Sequence, residues 1–580
     1  MTVDFNFMIG GEAGQGIQSV SFILSKTMMR GGYNVYSDQD YESRIRGGHS
    51  FSRVRVRDRE VQAQSEKVNI LLALNKETID RHLGEMKPER EALVIFDEQT
   101  IKSGLADKGV MLDVPLEQLA VQSTANKIMS NTVAIGAALG AVEYDFDLLA
   151  GVLREEFGRH GEKVAEDNLK AARTGYDYAL QHRGERFGQR LKTLKPPGAS
   201  NKIFLTGHEA VAFGAMVAGC KFVAGYPMTP TTSILEYIAQ KGRDFNVKVI
   251  QTEDEISAIN MVIGAGYAGV RAMTATSGGG FCLMVEGLSL AGMTETPVVV
   301  VLGQRPGPAI GLPTRTEQAE LWFALHAGHG EFPRAILAPV SVEDAFWLTI
   351  KAFNLAEKYQ SPIIILTDHD LADSYNAVEP FDLSQVKIDR GELLSEQEVN
   401  QLPTYKRHLI TDSGISPRAL PLVGKALVVT DSDEHNEEGH IIEDAETRRQ
   451  MMLKRMRKLD GLKSELGKPR ITKKPGAKIT LIGWGSTYGA IKEAQELLAE
   501  DGLPVNLLHL NEIWPFPADD VVSILRDSRK NIFIESNATG QLAQLARRET
   551  GIKADASILK FDGRPFSAQY IVNEVKKEAS

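Results

Sequence analysis

The residues best suited to chemistry fall in four short segments between positions 225 and 318. The first reads GYPMTPTTS. Pro227 and Pro230 fix their own φ angles and bias Tyr226 and Thr229 away from the helical region, so Thr229 is held on a stiff turn. A helix expected just beyond, over 234–239, would favour an anion at its start, and a Thr hydroxyl there suits a carboxylate or carbonyl oxygen. The same pattern also fits a plain Pro-rich turn with Thr231 or Thr232 as the helix cap. The second, QTEDEISAINMVIGAGYAGV, brings Glu253, Asp254 and Glu255 to the mouth of a helix rich in small residues (Ala258, Gly264, Ala265, Gly266, Ala268, Gly269). Acids in a first turn complement the helix dipole. A helix built for close packing can also press such an acid into an interior, where its pKa rises and it exchanges protons near neutrality.

The third segment, TATSGGGFCLMVE, reads as a strand end, Ser277, the glycines 278–280 and a second helix. Backbone N–H groups in such a turn can approach an anion or a planar ring. The fourth, GQRPGPAIGLPTRTEQ, is a Gly/Pro loop carrying Arg305 and Arg315. Arg clamps a carboxylate with two hydrogen bonds, although either residue alone also fits a solvated loop position. Far upstream, GGEAGQG places Gly11, Gly14 and Gly16 in the reverse of the dinucleotide spacing Gly-x-Gly-x-x-Gly, which argues against a conventional NAD site. Asp38 stands where a ribose-binding acid would. The run YESRIRGGHSFSRVRVRD then supplies Arg44, Arg46, His49, Arg53 and Arg55, a basic strand and loop suited to a phosphate-rich ligand or an acidic partner surface.

The elements that must position these residues read as three α/β domains. Residues 1–190 open with the alternating run Val3, Phe5, Phe7, Ile9, a half-buried strand signal, and continue with strands over 51–57, 69–74 and 92–97. A mostly parallel sheet is expected there. The stretch 191–200 is a linker, and 201–380 forms a second domain with strands over 298–302 and 362–367. Residues 381–470 form an irregular excursion ordered by packing on its neighbours. It contains DSDEHNEEGH and then an exposed amphipathic helix that would bury Met451, Met452, Leu453 and Met456. Residues 471–580 alternate strand and helix at the spacing of right-handed crossovers, with helices over 488–499, 518–527 and 540–549.

Composition excludes several classes. Lys plus Arg is 66 against Asp plus Glu at 76, a formal charge of −10 that argues against general nucleic-acid binding. No apolar run approaches the roughly 20 residues of a membrane helix. The opening residues lack a basic-then-apolar leader, so a cytoplasmic location is expected. Cys220 and Cys282 are the only cysteines. Both are expected to be buried and inert, and an iron–sulfur cluster usually takes about four thiolates.

In this order the motifs resemble the 2-oxoacid:ferredoxin oxidoreductases, most nearly the 2-oxoglutarate class whose γ domain is fused ahead of the α subunit. GGEAGQGI and SRIRGGHS match the γ domain; YPMTPTT, EDEISAI, TATSGGG and GQRPGPAIGLPTRTEQ match a thiamine-diphosphate pyrimidine-type domain. DSDEHNEEGH matches the excursion, and the last domain resembles the transketolase C-terminal fold. One departure is Ser-Gly-Gly-Gly over 277–280, where the family commonly has Ser-Gly-Pro-Gly.

The resemblance implies that Glu255 hydrogen-bonds N1′ of the thiamine aminopyrimidine and favours the imino tautomer that takes the thiazolium C2 proton. It implies cofactor contacts from Tyr226, Pro227, Ser277, Gly278 and Gly279. Thr229 and Arg315 would hold the 2-oxoacid, with Arg305 as the alternative carboxylate clamp. Gly14, Gly16, Arg44, Arg46 and His49 would help bind coenzyme A. No Gly-Asp-Gly, the usual Mg²⁺–diphosphate anchor, occurs in the chain. Mg²⁺ and a [4Fe–4S] cluster are therefore expected in a partner β subunit, no metal site is expected here, and a dimer of heterodimers is implied, with ferredoxin as redox partner. Pyruvate, branched-chain or aryl 2-oxoacids are alternative substrates, and a non-catalytic nucleotide-binding or electron-transfer scaffold is the alternative of a different class.

Overall fold

Four neighbouring parallel strands deliver all four candidate segments to one edge. In the computed structural model, residues 2–43, 47–85, 92–102, 111–183 and 193–579 are described. Arg44 and Arg46 lie outside them. The chain divides into two compact units, Met1–Leu205 with Ser374–Pro380, and Thr206–Asp373 with Phe381–Ser580.

The first unit is built on an eight-stranded sheet in the order Met111–Asp113, Leu93–Phe96, Ile70–Ala73, Asp4–Ala13, Gly47–Arg57, Asn34–Asp40, Tyr375–Val378, Ile203–Thr206. Asp4–Ala13 is buried on both faces rather than half-buried, because Phe5, Phe7 and Ile9 pack into one core and Met8 into another with Leu71 and Val94. The expected mostly parallel sheet is parallel only on the side running from Asp4–Ala13 to Met111–Asp113. Beyond Asp4–Ala13 the pairings with Gly47–Arg57, Asn34–Asp40 and Tyr375–Val378 are antiparallel. The link over 41–46 is long enough for a hairpin and too short for a helical crossover. Helices Ser130–Ala141 and Glu162–His182 pack backbone to backbone, since a side chain on Gly136 would overlap the Ala172 carbonyl.

The second unit holds two sheets. The seven-stranded one runs Glu512–Trp514, Ala335–Leu337, Pro362–Asp368, Val298–Gln304, Ala272–Thr276, Phe222–Gly225, Lys248–Gln251. All its neighbours are parallel except Glu512–Trp514. The last four strands end at Arg305, Ser277, the 226–231 turn and the approach to Glu255, so the candidate residues gather at the carboxyl ends of adjacent strands, where ligands bind in open α/β sheets. The five-stranded sheet runs Arg470–Thr472, Val505–Leu510, Ile479–Trp484, Lys530–Glu535, Ala556–Leu559, with the alternating helices Tyr488–Glu500, Ala518–Arg526 and Gln541–Thr550.

The excursion departs from its amphipathic expectation. Its helix, Ala445–Glu465, buries Met451, Lys454, Arg455, Lys458 and Leu462, while Leu453 stays 51% exposed. The inward face meets the buried Glu295 carboxylate, which takes Lys454 Nζ at 2.5 Å, Lys458 Nζ, and His408 Nδ1 at 3.0 Å. Ion pairing, which hydrophobic patterning does not register, thus decided which face went in. Among the described residues no helix is long and apolar enough to cross a membrane.

Candidate active site

The acidic run at the second segment splits its work between neighbours. Asp254 is the N-cap of the helix Glu255–Tyr267, its carboxylate accepting the Ser257 N–H at 2.8 Å, and Glu253 remains exposed. Glu255 instead turns inward and is 4% exposed, with Oε1 buried and without a hydrogen-bond partner. Burial raises its pKa, its own backbone N–H opposes the rise, and Asp254 adds to it. A side chain on Gly280 would overlap both Glu255 Oε1 and the Thr276 hydroxyl, so the glycine lets the turn close onto the carboxyl.

That turn follows the strand Ala272–Thr276. Ser277 is the N-cap of Gly278–Met293, yet its hydroxyl makes no capping bond and is buried without a partner, as is the Thr274 hydroxyl. Orphaned buried polar atoms are uncommon, and those of Glu255 and Ser277 beside one glycine turn mark a place built to meet a polar ligand. The set fits an aminopyrimidine ring: a protonatable carboxyl, hydroxyls, and a glycine surface that a flat ring can approach. Gly279 is exposed, with open space where a side chain would stand.

The Pro-rich turn lies beside it, with Met228 Sδ 4.0 Å from the Thr276 hydroxyl. Thr231 stands at the N-cap of Thr232–Lys241, but its hydroxyl donates back to the Met228 carbonyl at 2.9 Å. Thr229 is half-buried, and its carbonyl accepts from Arg305 Nη1 at 2.8 Å. Arg305 is 8% exposed, so it is a fixed cation and not a solvated loop residue. Arg315 is placed differently, half-buried at the far end of the loop, where its stem lines the Cα of Gly563. Tyr226 and Pro227 are exposed on the turn. The structure therefore brings Glu255, Ser277, Gly278, Gly280, Thr229 and Arg305 together through direct neighbours, while the stem of Arg315 packs on Gly563.

Two residues escaped sequence reasoning. His208 is fully buried; its Nδ1 donates to the Pro230 carbonyl at 3.1 Å and its Nε2 meets the Thr367 hydroxyl at 2.9 Å. Burial pushes its pKa down to about 4, so it serves as a neutral brace for the turn. Glu320, five residues past Arg315, places its carboxyl against Gly278. Only its position in the Arg-bearing loop could have pointed to it. Among the cysteines, Cys220 is buried and its thiol is pushed up to about 12, whereas Cys282 is exposed, contrary to expectation, because it faces outward from the first turns of its helix.

In the first unit, Glu12 pairs across the sheet with His49, and Ala13 with Gly47, so Gly14, Gly16 and His49 share one end of the sheet. Both glycines have left-handed φ, 93° and 75°. His49 Nε2 lies 2.8 Å from His82 Nε2, and His49 Nδ1 is buried without a partner. The arginines of the neighbouring strand are engaged within the fold: Arg53 pairs with Asp38, and Arg55 and Arg57 with Asp4. Asp38 is thereby committed to Arg53 and does not stand free for a ribose.

Comparison with known proteins covers nearly the whole chain. Family models described as pyruvate flavodoxin/ferredoxin oxidoreductase, thiamine diphosphate-binding, pyruvate ferredoxin/flavodoxin oxidoreductase, and pyruvate:ferredoxin oxidoreductase core domain II match residues 213–454, 6–178 and 477–570. The chain is 34% identical to a 2-oxoacid:ferredoxin oxidoreductase subunit alpha of Sulfolobus sp, over 97% of this chain and 95% of that one. It is 31% identical to the 2-oxoglutarate oxidoreductase subunit KorA of Mycobacterium tuberculosis, over 97% and 89%. The solved 2-oxoglutarate:ferredoxin oxidoreductase from Magnetococcus marinus, with 2-oxoglutarate, coenzyme A and succinyl-CoA bound, superposes with a TM-score of 0.92 at 31% identity, covering 100% of both chains. With relatives at this identity over nearly its whole length, this chain belongs to the 2-oxoacid:ferredoxin oxidoreductases, as an alpha subunit.

Proposed function

We propose that this subunit catalyses, with a β partner, the thiamine-diphosphate-dependent conversion of a 2-oxoacid and coenzyme A to acyl-CoA and CO₂, or the reverse carboxylation. Two electrons pass to ferredoxin in the forward direction. 2-Oxoglutarate is the favoured substrate, supported by the KorA relatives and by the 2-oxoglutarate-bound Magnetococcus structure. The observation that carries the reading is Glu255, a buried carboxyl with an unpartnered oxygen against a glycine turn.

Thiamine diphosphate, when bound, supplies the electron sink that lets the carboxylate leave. Glu255 holds and moves the proton at the aminopyrimidine N1′. Ser277, Gly278 and Gly279 line the ring, with Tyr226 and Pro227 on the adjoining turn. Thr229 orients the 2-oxo group. The Arg305–Thr229 contact supports Arg305 for the carboxylate beside that group, with Arg315 as the alternative clamp. Gly14, Gly16, Arg44, Arg46 and His49 belong to the coenzyme A platform.

The β subunit supplies Mg²⁺, the diphosphate anchor and the [4Fe–4S] cluster, because this chain has two cysteines and no Gly-Asp-Gly. Its seat is the helix pair that carries the site: Ile256, Met261 and Leu283 are 49%, 45% and 47% exposed there, unusual for large apolar side chains beside a catalytic acid. Two such heterodimers pair in the cytoplasm. Residues 1–190, with the strands Ile203–Thr206 and Tyr375–Val378 that complete their sheet, form the γ-type domain, residues 207–373 the pyrimidine-type domain and 471–580 the transketolase C-terminal-like domain, with 381–470 between the last two.

A dye-reduction assay with thiamine diphosphate, Mg²⁺, coenzyme A and a panel of 2-oxoacids tests this. Activity is expected only when the chain is combined with its β subunit, and highest with 2-oxoglutarate. Turnover by the lone chain would refute the shared site.

A further inference from the structure

A second carboxyl stands against the same glycine turn. Glu320 is the N-cap residue of Leu321–His326, and its N–H donates to the Gln304 side chain at 3.0 Å. Gln304 is itself anchored, donating to the Thr367 carbonyl at 3.1 Å. A side chain on Gly278 would overlap Glu320 Oε1, so the carboxyl fills the space that the glycine leaves. The other oxygen, Oε2, is buried and without a hydrogen-bond partner. The charged and titratable groups facing it are Arg305 and Glu317 from the loop and Cys282 from the helix Gly278–Met293. Glu255 lies two residues further along the turn, against Gly280. Burial pushes Glu320 up to about 8, against the pull of Arg305 and with the repulsion of Glu317.

Among the described residues no ion pair joins Arg305 to Glu320, and Arg305 donates instead to the Thr229 carbonyl. A neutral acid here leaves the guanidinium charge for another anion, whereas an ionised one competes for it. We propose that Glu320 is a positioning residue for substrate recognition: as the neutral acid it leaves Arg305 to the 2-oxoacid carboxylate, and on ionising it takes up that charge itself. This rests on the assignment of Thr229 and Arg305 to the 2-oxoacid site.

The sign follows directly. Below pH 8 Glu320 keeps its proton and the substrate carboxylate is held; above it, ionisation weakens binding. The test is the KM, the kcat and the calorimetric Kd for 2-oxoglutarate between pH 6.5 and 9.5, on the reconstituted complex. The unsubstituted complex is expected to lose affinity by about tenfold above pH 8, the effect of about one pKa unit of coupling, with little change in kcat. Glu320→Gln, an isostere of the neutral acid, should keep the tight value throughout, and Glu320→Asp should retain the limb. An identical limb in Glu320→Gln, or pH-independent binding by the unsubstituted complex, overturns the proposal. An unsubstituted complex that turns over no 2-oxoacid overturns the functional reading instead, so the two failures are distinguishable.

Discussion

Glu255 and Glu295 are both buried glutamates of the second unit, and they have opposite surroundings. Glu255 has an orphaned oxygen, a glycine turn against it and, among the described residues, no cation in contact, so burial raises its pKa. For Glu295 burial acts in the same direction, but Lys454 and Lys458, with His408, outweigh it and hold the carboxyl well below the usual range. Glu295 even adopts a left-handed φ of 51°, a conformation that persists only where neighbours over-determine it. Burial alone thus does not say what a carboxyl is for. A permanently charged glutamate fastens the excursion helix; one left without a counter-ion keeps a proton available.

The largest expected effect falls on the solitary acid. Glu255→Ala should lower turnover of the reconstituted complex by about 10²–10⁴-fold, the range for a proton-transferring side chain, and leave the melting temperature of the subunit nearly unchanged. Glu295→Ala should do the reverse. It strands two buried lysines and should cost about 3–5 kcal/mol in denaturant unfolding, while turnover per folded molecule stays close to normal. Because the folded pKa of Glu295 lies below its ordinary 4.5, its stabilisation is present above that value and is lost as pH falls through the folded one. Acid unfolding of a Glu295→Gln variant should lack that contribution.

Gly280→Ala is smaller and more telling. Its methyl would press on Glu255 Oε1 and the Thr276 hydroxyl, so a cost of about 1–3 kcal/mol is expected, shown in kinetics as well as in stability. Normal turnover by that variant would loosen the link between turn and acid. Smallest in stability is Asp254→Ala, which removes the cap on Ser257 N–H and should cost about 1 kcal/mol in thermal unfolding, and which also removes the charge that helps raise the Glu255 pKa.

Much of this arrangement was legible in the residues. Strand, glycine and helix signals placed all four active segments, since period and turn chemistry are local properties. Which of three successive acids would cap and which would turn inward was not legible, because Asp254 and Glu255 differ by one residue of helical phase. Where Arg305 and Arg315 would each lie was not legible either, because the path of their loop is set by contacts with Gly563 and Ser536, far away in sequence. The Ala445–Glu465 helix misled because its buried face is carried by Lys454, Arg455 and Lys458, whose partners Glu295 and Glu434 lie in other segments. In the first sheet the pairing of Asn34–Asp40 with Tyr375–Val378 was hidden for a similar reason, since that strand arrives from well over a hundred residues downstream.

The most direct test of the central claim is hydrogen–deuterium exchange at C2 of thiamine diphosphate, followed by proton NMR in the reconstituted complex without 2-oxoacid. The unsubstituted complex should exchange far faster than the free cofactor, and Glu255→Gln should fall back toward the free rate with the cofactor still bound. Undiminished exchange in Glu255→Gln would contradict the role given to this carboxyl.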